Sequence, residues 1–252
     1  ATVVTQYTDF QDITGAGAAD WDLTHQAVDS HGDCGGNTGI IFTTPATQTS
    51  TGTASFTWSS HGWTTRVPLP QDDVVINNAF VAGRTITADM RRLGKNIDCS
   101  GCTGNPAFAT SGSAFGQQLY GSLTFATGMT TTGNTVITFC GRANSTFTST
   151  GLAFGGTGGI AIEKPGYKLA IKDNLTLTGT LNPVYGGFDA DDCGANHTVT
   201  CTSFNASNNS TKTITMGTGV WTLTGTGSVW NIASTGVTIS GANSTIVLST
   251  AS

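Results

Sequence analysis

The chain has 252 residues, enough to bury a substantial core in one large all-β domain or two smaller ones. Only 10% of residues are charged, the formal net charge is −5, and the basic residues form no stripe, which argues against phosphate-directed binding to nucleic acid. Apolar runs all fall short of a membrane span of about 18 residues. Gly numbers 34, and Thr with Ser makes up roughly a quarter of the sequence. Apolar residues recur in regular pairs along such a chain, so the composition indicates strands and tight turns, not disorder: β-branched Thr suits a pleated surface, and Gly suits turns with positive φ. Ala1 in place of Met implies a removed initiator or leader, or a cut chain.

Residues 1–65 read as an irregular N-terminal cap or attachment segment. They hold Trp21, Trp58 and Trp63, three of the four histidines, and the structureless-looking run Thr43–Ser50. Such a segment would cover the open edge of a first coil. Trp58 and Trp63 read as buried aromatics of that cap. Two prolines in Arg66-Val67-Pro68-Leu69-Pro70 mark the expected boundary, and residues 66–252 are the expected repeat domain.

From there strand signals follow in series. They are Val74–Ile76, Thr85–Thr87, Leu119–Phe125, Thr135–Phe139, Lys168–Ile171 and Leu175–Leu181. Thr213–Met216, Trp221–Thr224, Val229–Ile232, Val237–Ile239 and Ile246–Leu248 complete the set. The only helical spacing, Thr87–Leu93, is short and ends at Gly94, so it reads as a strand end or single turn. Apolar-x-apolar pairs start seven to nine residues apart at Ile214/Met216, Trp221/Leu223, Trp230/Ile232, Val237/Ile239 and Ile246/Leu248. Three such steps make a period of 23 to 25 residues, one coil of a three-faced solenoid. The predicted fold is therefore all-β, a right-handed parallel β-helix. A β-sandwich or jelly roll is the alternative, disfavoured because Asn-Gly and Asp-Gly hairpin turns are missing. The last strand pair runs directly into Ser249–Ser252, so a partner or a further segment is expected to cover that end.

The segment Trp63-Thr64-Thr65-Arg66-Val67-Pro68-Leu69-Pro70-Gln71-Asp72-Asp73-Val74 resembles the opening of Gly/Thr-rich β-helical virion proteins of tailed phages. Lys164–Leu169 with Asn174–Leu181, Phe188–Ala190, Val199–Asn208 and Trp221–Asn231 resemble their repeat body. The resemblance spans residues 58–252. It implies a non-catalytic structural protein of the virion surface, a capsid decoration or fibre component. The implied partners are copies of itself, as a homo-oligomer with a trimer as the fibre-like form, other virion proteins and host-surface glycans. It brings no catalytic residue, cofactor or metal. A secreted bacterial adhesin or surface-fibre module of the same architecture is the alternative, with an extracellular location. A β-helical polysaccharide-degrading enzyme ranks third.

Candidate chemistry is sparse. A glycosidase needs two carboxylates at a fixed separation. The clusters available are Asp72/Asp73 at a turn and Asp189/Asp191/Asp192 in a Gly-rich loop; the latter could also offer oxygens to Ca²⁺ but lacks the D-x-D-x-D-G pattern. His31, Asp33 and Cys34 are close in sequence and read as a polar loop, not a nucleophilic set. Arg91, Arg92 and Lys95 read as a solvated turn. Cys99-Ser100-Gly101-Cys102 has no second pair to complete a zinc site and no βαβ setting for redox chemistry, so it reads as a disulfide or buried thiols in a turn. Cys193 and Cys201 could staple a loop, while Cys34 and Cys140 lack a local partner. The N-x-S/T matches at Asn144, Asn174, Asn196, Asn205, Asn208, Asn209 and Asn243 read as polar surface.

Overall fold

Short strands separated by Gly, Asn and Ser turns wind into a three-faced β-solenoid of about ten turns. The structure is a computed structural model that describes residues 2–5, 7–26, 31–111, 116–154, 158–233, 235–241 and 243–249. Every strand ladder is parallel; antiparallel pairing among the described residues is confined to an isolated bridge between Ser50 and Trp63. Those ladders exclude the sandwich alternative.

Face one stacks Thr47–Thr49, Asp73–Val75, Ile97–Asp98, Leu123–Thr124 and Ser145–Thr148, and ends on Lys212–Thr215 and Val237–Ser240. Face two runs from Phe56–Thr57 through Thr85–Ala88, Ala107–Thr110 and Thr130–Gly133, then from Ala153–Phe154 to Thr245–Leu248. Face three runs from Gln117–Leu119 and Ile137–Phe139 to Ser203–Ala206 and Trp230–Ile232. Two strands, Ile160–Ile171 and Thr180–Asp189, are too long for one face. They turn the corner from face three to face one, so both faces belong to a single 13-stranded sheet.

The predicted period holds. Trp221 lies under Ile246 and Leu223 under Leu248. One predicted register shifts by two residues: Ile214 pairs with Ile239, not with Val237, which sits over Lys212. The predicted run Leu119–Phe125 is two strands split by a corner at Tyr120–Ser122, and Leu175–Leu181 is likewise broken after Leu177.

Inward positions fill the coil with large rings. Trp58, Phe108, Phe125, Phe147 and Phe154 form one chain of contacts with centroids 5.4–6.4 Å apart. Phe188, Trp221, Phe204 and Trp230 form a second. Isoleucines and leucines of Ile160–Ile171 and Leu175–Leu177 fill the middle. Burying a ring of this size contributes roughly 3 kcal/mol or more relative to Ala. The last rung differs: Thr245–Leu248 is exposed throughout, and Leu248 is 62% exposed.

The region expected to be a cap takes two forms. Thr47–Thr49 and Phe56–Thr57 already pair in parallel with the next coil, so the ladder runs unbroken across the boundary expected near Arg66–Pro70. Trp58 and Trp63 are buried as expected, with Trp63 Nε1–H donating to the Trp58 carbonyl at 3.0 Å. Upstream, Thr8–Phe10 pairs in parallel with His31–Asp33, and parallel bridges join Thr2 to Asp20, Thr14 to Thr38 and Asp22 to Ile41. This second small coil lies against the side of the stack. Arg92–Asp9 (2.7 Å) and Arg142–Asp12 (2.5 Å) ion pairs hold it there. Arg92 is thus part of an interface, not of a solvated turn.

Candidate functional site

The acid clusters read from the sequence are spread apart and engaged. Asp72 is fully buried. It takes a two-point contact from Arg66, at 2.6 and 2.9 Å, and N–H donations from Leu69 and Ala46. Its neighbour Asp73 is exposed and accepts from Asn96 Nδ2 at 2.7 Å. Asp189 pairs with Lys168 at 2.5 Å and accepts the Asp191 and Asp192 N–H groups. Burial works against the Asp189 charge, but the Lys168 hydrogen bond and the two backbone donors outweigh it and hold the carboxyl below its usual value. Asp192 pairs with Lys172 at 2.8 Å. His31 is buried in its strand with Nε2 2.9 Å from the Thr5 carbonyl, and Asp33 caps Gly35 N–H and Asn37.

The cysteines are all free thiols. Cys99 and Cys102 are buried in a turn closed by Cys102 N–H donating to Cys99 O at 2.9 Å, and the Cys102 thiol donates to Ile76 O. Cys193 is exposed in its turn while Cys201 is fully buried in the core, so the staple considered for that loop is not formed.

An open groove lies elsewhere, and coil length builds it. Phe147 stacks under Ile171, a step of 24 residues. The next step, Leu169 to Phe188, is only 19, and Phe188 to Ile214 is 26. One short coil therefore sits between two long ones at the corner from face three to face one. The lower wall is the excursion Pro165–Lys168, which shifts the register on either side of Glu163. The upper wall is Asn209–Thr213, and the floor is Tyr185–Gly187. The enclosed volume is about 690 Å³, within the usual range for a small-ligand cleft. Gly186 has φ +82° and lies against the Lys164 and Tyr167 carbonyls, so the floor has no room for a side chain.

Two of the four tyrosines face this groove half-exposed, Tyr167 at 40% and Tyr185 at 43%. Around them are Asn, Ser and Thr side chains and Lys168, whose charge is committed to Asp189; that hydrogen bond raises the Lys168 pKa. Lys212, at the upper wall, is buried and donates to the Asn208 carbonyl (2.7 Å) and side-chain oxygen, and burial lowers its pKa. Tyrosine rings with neutral hydroxyl and amide neighbours suit a flat, uncharged, hydroxyl-rich ligand: the ring stacks on C–H faces and the phenol hydrogen-bonds. None of these groove residues stood out as a site in the sequence. The signal lay in the uneven coil lengths combined with the adjacent Gly186–Gly187.

Comparisons of the chain with protein-family models, with curated proteins and with solved structures found no match.

Proposed function

We propose that this chain is a non-catalytic structural module of a virion surface, of the tailed-phage decoration or fibre kind that its sequence resembles, and that its corner groove contacts host-surface glycans. The supporting observation is the commitment of the candidate acids. Asp72, Asp189 and Asp192 are each neutralised by a cation of the scaffold, which suits building and disfavours general acid–base work. The exposed chemistry is instead the neutral, ring-lined groove. A long parallel ladder supplies stiffness, and outward Thr and Ser keep the faces wet.

Two measurements test this reading. Antibody labelling of particles from producing cells should decorate intact virions; labelling of a free soluble pool alone would sink the surface role. A neutral-glycan array should retain the full chain, and Tyr185→Ala should lose that retention while Tm stays unchanged. Release of reducing ends from any polysaccharide, abolished by Asp189→Asn, would instead restore the enzyme reading.

A further inference from the structure

The N-terminal coil and the solenoid wall meet at a seam that buries two cysteines distant in sequence, Cys34 and Cys140, in one cluster with Tyr120. Neither has a partner nearby in the chain, and the fold brings them together. The side-chain amide of Gln11 donates to both carbonyls, to Cys34 O at 3.1 Å and to Cys140 O at 2.8 Å. One nitrogen touching both oxygens places the two cysteine backbones side by side. Cys34 is fixed by its N–H bond to Phe10 O, and Cys140 by its N–H bond to Leu119 O, both 2.9 Å. A disulfide needs a Cα separation of about 4.4–6.8 Å, which this arrangement brings within reach.

We propose that Cys34 and Cys140 form a disulfide that locks the N-terminal coil onto the solenoid wall, with a small-molecule disulfide as oxidant. In the first step the Cys34 thiolate attacks one sulfur of the oxidant and releases one thiolate. In the second the Cys140 thiolate attacks Cys34 sulfur and releases the other. The protein loses two S–H hydrogens and two electrons; the oxidant is reduced to two thiols, which take up the two protons.

The seam explains why such a bond would matter. Its other ties include two ion pairs with partly exposed carboxylates, Asp9 and Asp12, and such pairs weaken with salt. A covalent tie would hold regardless. The site also sets when the bond forms. Burial pushes the Cys34 thiol up to about 12, and burial also raises Cys140, so little thiolate exists while the seam is closed. Oxidation therefore belongs to folding or to opening of the seam.

The test is to refold the full chain with oxidised glutathione, and separately with a reductant, then alkylate and map the peptides unreduced. The expected result is a linked peptide pair containing Cys34 and Cys140 in the oxidised sample only. Closing a loop of this length should raise Tm by roughly 5–10 °C over the reduced form. Cys34→Ser should lose both the linked pair and the redox dependence of Tm. Should Cys34→Ser fail to fold, the wild-type map decides alone. Recovery of Cys34 and Cys140 both alkylated after oxidative refolding, or each bonded to a different cysteine, would overturn the proposal.

Discussion

A Cβ placed on Gly186 would lie 2.0 Å from the carbonyl oxygen of Lys164, one coil below. The short coil leaves no alternative path, because Tyr167 O stands 2.5 Å away on the same side. Gly186→Ala must therefore push the two coils apart and also strain a φ of +82°. The expected cost is about 2–4 kcal/mol in denaturant unfolding. Gly166 on the opposite wall has a similar φ of +78° but open space around it, so Gly166→Ala should cost only about 1–2 kcal/mol. Equal costs for the two variants would show that coil spacing does not shape the groove floor.

Arg66 and Asp72 make a buried ion pair with side chains 5% and 0% exposed. Asp72 also satisfies the Leu69 and Ala46 N–H groups, so one carboxylate ties three segments of the first coils. Asp72→Asn leaves the Arg66 charge uncompensated and should cost about 3–5 kcal/mol. Replacing both partners by apolar residues should cost less than the single change. A double-mutant cycle measures this, and additive losses would mean that the two side chains do not act as a pair.

The solenoid was legible because its cause is periodic: inward Ile214, Trp221, Leu223, Ile239 and their neighbours repeat at the coil length whatever the turns do. Features set by pairings distant in sequence were not legible. The Gln11–Cys140 contact spans 129 residues, and no local pattern foretells it. Turn chemistry was visible but misread. Asn144, Asn174 and Asn196 looked like generic polar surface, yet each accepts the backbone N–H of the next coil, from Lys168, Thr198 and Thr218 at 2.7–3.0 Å. Their recurrence is a consequence of stacking, since each coil corner leaves an N–H that needs an acceptor. The groove required comparison of successive coil lengths, which becomes possible only once the register is known.

Asp12 reports on the seam. Its hydrogen bonds to Arg142, and then that residue's charge, hold the carboxyl below 3.8. A carboxyl depressed in the folded state contributes stability above its unfolded value, near pH 4, and that contribution disappears as pH falls through the folded value. In the reduced protein, acidification below about pH 4 should therefore expose residues 7–26 to an acid-active protease before the solenoid is cut. Asp12→Asn should show that cleavage already at neutral pH. Simultaneous loss of both regions on acidification would show that the seam is not an independent weak point.

Lys164 turns inward where its coil rounds the corner, is fully buried, and donates to Gly141 O at 3.1 Å. Burial lowers its pKa from 10.5 to about 8, a shift that Arg142 reinforces and Cys140 partly opposes. A lysine whose pKa falls on folding binds its proton more tightly in the unfolded chain. Stability attributable to this residue is therefore lowest below about pH 8 and rises as pH climbs toward 10.5. The size of that rise is on the order of 2–4 kcal/mol. Lys164→Met keeps the buried methylene stem, removes the charge and leaves one carbonyl short of a donor. It should match or exceed the wild type at pH 7 and lose the alkaline gain. Parallel unfolding curves for both proteins across that range decide the matter. The same alkaline gain in Lys164→Met would assign it to another group, and a deep loss at pH 7 would mean that the Gly141 hydrogen bond outweighs the cost of burying the charge.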